Sequence, residues 1–114
     1  MWYQTEALSW LHDNKNKAAL AGNHFGTTAN AIKAVDALYA AGAVRVDVIV
    51  QYYEASRIAK DGGPYADTLE VTFPKSGQKK LFAFIKSLEP DNLEDVDEPI
   101  PDTGPSSVWT LWWD

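Results

Sequence analysis

No cysteine occurs in the 114 residues of this chain, which excludes disulfide staples and thiolate metal sites and fits a reducing compartment. Histidine is nearly as scarce. His12 and His24 are the only two, they fall on separate elements, and no His-Glu-x-x-His spacing exists to hold a catalytic zinc. There is no glycine-rich run ending in Lys-Ser or Lys-Thr and no serine within Gly-x-Ser-x-Gly, so phosphate-loop and serine-hydrolase chemistry find no motif. No apolar run approaches the ~20 residues of a membrane span, and the first twenty residues lack the basic start and apolar stretch of a secretory signal. The expectation is a soluble, cytoplasmic protein without a metal or other cofactor.

Basic residues are also in short supply: ten Lys and Arg stand against sixteen Asp and Glu, a formal net charge of −6. The excess is local. Glu89, Asp91, Glu94, Asp95, Asp97, Glu98 and Asp102 fall within one stretch that holds no base, leaving nine acids against ten bases elsewhere. A binder of phosphate backbones needs the opposite, a basic stripe or patch. Nucleic acid is disfavoured as a direct ligand, and a protein partner with a basic surface is the expected counterpart. Pro90, Pro99, Pro101 and Pro105 make residues 89–106 an extended acidic loop.

What is present begins with an ordinary apolar share of 46%, enough for one domain with a core of its own. The clearest local pattern runs from Thr28 to Gln51. Ile32, Val35, Leu38 and Tyr39 recur at helical spacing, with Thr28 expected as the cap and Gly42 as the stop. The period then changes to two, placing Val44, Val46, Val48 and Val50 on one face and Arg45, Asp47, Ile49 and Gln51 on the other. Thr68 to Phe73 alternates in the same way, with Leu69, Val71 and Phe73 inward. Ser76 or Gly77 opens a second helix with Leu81, Phe84, Ile85 and Leu88 on its apolar face. Val108 to Trp113 reads as a last strand. Trp2 to Asn14 reads as a short helix capped by Thr5, and Lys17 to Gly22 as a first strand.

The succession β-α-β-β-α-β resembles a ferredoxin-like split βαβ sandwich, a four-stranded antiparallel sheet with two helices on one face. The resemblance lies in element order. It implies an α+β single domain, with residues 1–16 as an N-terminal helical segment and 17–113 as the core, and it implies no activity.

Four places merit weighing as sites. Asn23, His24, Thr27 and Thr28 precede a helix and could receive an anion, the alternative being a turn followed by a cap. Asp91, Glu94, Asp95, Asp97 and Glu98 are dense enough for a hard cation, but the Asp-x-Asp-x-Asp-Gly order of a calcium loop is missing. They read better as a solvated loop able to meet a basic partner. Asp47 and Glu70 could form a carboxylate pair on the outer sheet face, the alternative being an ordinary solvated surface shared with Arg45 and Thr72. The last strand is apolar on both faces: Trp109, Leu111 and Trp113 on one, Val108 and Trp112 on the other. One set must be covered by the N-terminal segment, by Tyr52-Tyr53 or by another chain, and a homodimer is among the options. The expected function is a small non-enzymatic binding protein, an inhibitor, immunity-type or regulatory factor, with Trp109, Trp113 and the acidic loop as its contact residues. The alternative is a small enzyme or anion binder using the His24 loop with Asp47 or Glu70.

Overall fold

The computed structural model describes residues 3–50, 55–74, 76–94 and 108–113. It is an α+β fold built on an antiparallel sheet. Strands β1 (Tyr3–Glu6), β2 (Arg45–Val50), β3 (Thr68–Thr72) and β5 (Val108–Trp112) lie side by side in chain order, and the short β4 (Asn92–Glu94) extends the sheet beyond β5. Five helices complete it among the described residues: α1 (Ala7–Asp13), α2 (Gly22–Phe25), α3 (Thr28–Ala40), α4 (Ala55–Asp61) and α5 (Gln78–Ser87).

The core forms where the periodic patterns meet. Val46, Val48, Val50, Leu69, Val71, Trp109 and Leu111 line one face of the sheet and are buried against Leu11 of α1, Val35 and Leu38 of α3, and Leu81 and Ile85 of α5. Both α1 and α5 pack on α3. Helix α3 stops at Gly42, whose φ of +117° suits a residue without Cβ. The Ala43 N–H donates to Leu38 O and the Gly42 N–H to Tyr39 O, the paired bonds that close a helix C-terminus. Val44 departs from its expected place. Its N–H donates to Thr72 O although Arg45 is the register partner of Thr72. Two residues therefore oppose one, as in a β-bulge, and Val44 is turned out to 59% exposure.

The topology is not ferredoxin-like. That order would insert the first core strand between β3 and β5, but here Leu69 faces Leu111 and Val71 faces Trp109 directly. The segment expected as that strand makes a single parallel bridge, Leu20 to Ala66. Ala21 then takes a left-handed conformation, φ 43° and ψ 57°, and turns the chain into α2. Side chains satisfy the preceding backbone in place of a strand ladder. Asn16 Oδ1 accepts from the Ala18 N–H at 2.9 Å, Thr28 Oγ1 accepts from the Ala19 N–H at 2.9 Å, and the Thr28 hydroxyl donates to Asn16 O at 2.6 Å. Asn14 Nδ2 and Asn16 Nδ2 donate to the carbonyls of Pro64 and Gly63.

Two helix starts also differ from expectation. Tyr3–Glu6, read as part of a helix, is strand β1; Thr5 lies within that strand, opposite Val48. Glu6 caps α1, its carboxylate accepting from the Leu8 and Ser9 amides at 3.0 and 2.8 Å. For α3 the cap is Thr27, which accepts from the Asn30 N–H at 3.1 Å, and Thr28 is already helical. The expectations that involved Trp2, Gln51, Tyr52 and Tyr53 lie outside the described residues.

Candidate functional site

Helices cover one face of the sheet; the other carries the alternate residues of every long strand. Cross-strand register sets Glu6 opposite Asp47, Asp47 opposite Glu70, Glu70 opposite Thr110, and Thr110 opposite Glu94. A second row holds Gln4, Ile49, Thr68, Trp112 and Asn92. Asp47 and Glu70 are thus direct neighbours, as their alternation suggested, and Gln4 lies between them. Gln4 Nε2 donates to Asp47 Oδ2 at 2.8 Å and to Glu70 Oε1 at 2.9 Å. Arg45 Nε donates to Asp47 Oδ1 at 2.7 Å, so both oxygens of Asp47 are engaged and the residue is only 8% exposed. Gln4 thus bridges the two carboxylates, while Arg45 engages Asp47 alone.

At the end of this row, Tyr39 joins three elements. Its hydroxyl accepts from the Val46 N–H at 3.0 Å and donates to Glu6 Oε2 at 2.8 Å. Burial acts to raise the Glu6 pKa, but the Ser9 and Leu8 amides and the Tyr39 hydroxyl outweigh it and hold the group below its ordinary value. Burial raises the Tyr39 pKa, opposed by the Val46 amide and reinforced by Glu6. Glu6 is therefore a fixed anion that locks β1 to α1 and α3.

The last strand divides its aromatics. Trp109 and Trp113 are each 1% exposed. Trp109 stacks on Phe73 at 4.6 Å between ring centroids and meets Phe82 edge-on at 5.1 Å. Trp113 donates Nε1–H to Leu88 O at 3.1 Å and packs against His24 and Phe25. Their cover thus comes from α5, α2 and the end of β3. The indole and isopropyl groups left toward solvent are Trp112, 37% exposed, and Val108, 45% exposed. Alternation defined the two sets, but only the pairing of Val71 with Trp109 decides which set faces the helices.

The remaining expected residues separate. In the loop read as an anion site, the Thr27 and Thr28 hydroxyls serve the chain itself, and His24 stacks on Trp113 at 5.7 Å. Asn23 lines a different cleft, beside Asp61 and Tyr65. Asp91 is exposed just before β4, and Glu94 belongs to β4. Asp95, Asp97 and Glu98 lie outside the described residues. Among the described residues no group of three His, Cys, Asp or Glu side chains could hold a metal ion, and no helix is long and apolar enough to cross a membrane. Sequence reasoning missed Gln4, which it placed in a helix; the β-forming Tyr3 and Thr5 on either side were the available signal. No protein-family model, curated protein or solved structure matches the chain.

Proposed function

We propose that the chain is a non-enzymatic binding protein, an inhibitor, immunity-type or regulatory factor of the cytoplasm, that meets a basic protein surface through the open sheet face around β5. The observation that carries this reading is the exposure of Trp112 and Val108 on a face that no helix among the described residues covers. Large, stiff aromatic side chains at the centre of a contact supply most of its binding energy. The acidic stretch runs on from β4, which pairs with β5 and sets Asn92 opposite Trp112. Backbone pairing sets Glu94 of β4 opposite Thr110 on the strand that carries Trp112, and acidic charge in this stretch would speed association with a basic partner. The enzyme or anion-binding alternative has less support, because Asp47 is fully engaged and the Thr27 and Thr28 hydroxyls are used internally.

The test is variant-dependent capture from a host lysate, with the partner then purified and titrated. Trp112→Ala is expected to weaken binding by about tenfold or more, the effect of removing an anchor. Asp95→Asn, Asp97→Asn and Glu98→Gln together are expected to slow association and flatten its dependence on salt, which screens charge over ~8–10 Å. Wild-type affinity and wild-type salt dependence in both variants would overturn the proposal.

A further inference from the structure

The opposite edge of the sheet, formed by β1, plays no part in the preceding reading. Among the described residues, strand β1 pairs with β2 on one side only. The direction of its backbone groups follows from one bond. The Val46 N–H reaches the Tyr39 hydroxyl, which also holds Glu6, so Val46 points its amide toward the β1 side of β2. Amides two and four residues on point the same way. Val48 and Val50 therefore bond with their register partners Thr5 and Tyr3, and the N–H and C=O of Gln4 are directed away from the sheet, along its edge.

A groove of about 550 Å3 runs beside that edge, with Tyr3, Gln4 and Thr5 on one wall and Ser9, Trp10 and Asp13 of α1 on the other. Trp10 Nε1 donates to Tyr3 Oη at 3.0 Å, fixing the two rings against each other. Asp13, exposed at the last turn of α1, is the one charged residue among the described residues that line the groove. We propose that this groove accepts an extended, basic peptide segment, which adds to β1 as a further strand by bonding to the Gln4 backbone, seats an apolar side chain against Trp10 and presents a Lys or Arg to Asp13. Strand addition of this kind takes its affinity from main-chain bonds and its selectivity from pockets for alternate side chains. The carboxylate of Asp13 selects a cation over an anion, and the outward N–H and C=O of Gln4 supply a donor and an acceptor that an extended backbone matches.

The test uses the full chain and a displayed library of random heptapeptides. Enriched peptides are expected to alternate in polarity, to carry Lys or Arg at a fixed position and to slow hydrogen exchange of the Gln4 amide when bound. Methylating the backbone nitrogen of the peptide residue opposite Gln4 should weaken binding about tenfold through the lost main-chain bond. Asp13→Asn should reduce the preference for a basic over an acidic peptide while Trp112→Ala leaves it unchanged, which separates this groove from the β5 face. A library that yields no peptide protecting Gln4, or peptides whose affinity survives backbone methylation, would overturn the proposal.

Discussion

On the helix-facing side of β5, Trp109, Leu111 and Trp113 are at most 1% exposed, whereas Trp112 and Val108 on its other side stand at 37% and 45%. Residues one position apart in the same strand thus do different physical work. The first set is enclosed by Phe73, Phe82, Phe25 and Leu88, and the Trp113 Nε1–H donates to a carbonyl of that enclosure. The second set has sheet neighbours but, among the described residues, no covering layer. Apolar surface contributes to folding only where something covers it, so the first set is part of the fold and the second is free to contribute to binding.

Substitution at the two sides would test that contrast most directly. Trp109→Ala should lower unfolding free energy by about 3–5 kcal/mol, read by chemical denaturation, because it opens a cavity beneath Phe73 and Phe82. Trp112→Ala should change it by no more than about 0.5 kcal/mol, as surface substitutions do. Equal losses would mean the open face is covered after all.

A second contrast, between side chains that tie loops and strands that tie each other, is sharpened by Gly63→Ala. A Cβ there would sit 2.0 Å from Asn14 Oδ1, so the Asn14 and Asn16 bonds to residues 63 and 64 must shift. A loss of about 1–3 kcal/mol is expected, in the range for overpacked sites. A neutral result would show that the loop yields easily and that these asparagine bonds are not what holds it.

Tyr39→Phe should cost about 1–3 kcal/mol, since it strips the buried Val46 amide of its acceptor. Glu6 adds a pH signature to the same junction. Its folded pKa lies below the 4.5 of the free group, so its contribution is complete above that value. The contribution is lost as pH falls through the lower folded value, where the carboxylate takes up a proton. The stability difference between wild type and Glu6→Gln should therefore hold steady at neutral pH and shrink on acidification below 4.5. A difference that stays constant into acid would show that the carboxylate charge is not what the cap uses.

The smallest effect is expected where α5 ends. Glu89 is exposed and left-handed, with φ 51°, a conformation that strains any residue with a Cβ. Glu89→Gly should raise stability by about 1 kcal/mol, seen as a higher melting temperature. No gain would indicate that contacts of the Glu89 side chain offset the strain.

The elements legible in the sequence were those with a long, regular period. Helices α3 and α5 and strands β2, β3 and β5 follow from the recurrence of Val35 and Leu38, of Leu81 and Ile85, of Val46 and Val48, of Leu69 and Val71, and of Trp109 and Leu111. Alternation also placed Asp47 and Glu70 on one face. Short segments gave no such signal. Tyr3–Glu6 has only four residues, and Lys17 to Gly22 is apolar without being a strand, because its backbone bonds go to Asn16, Thr28 and Ala66.

Local pattern, then, determined which residues share a face, since that depends only on the geometry of a helix or a strand. Which strand lies beside which was decided by the tertiary structure. Pairing β5 directly with β3 leaves no place for an inserted strand, turns Trp109 toward the helices and Trp112 toward solvent, and puts β1 at one edge and β4 at the other. The physical reason is that register and neighbour choice are set by contacts between residues far apart in the chain, and a period of two reads the same whichever neighbour a strand takes.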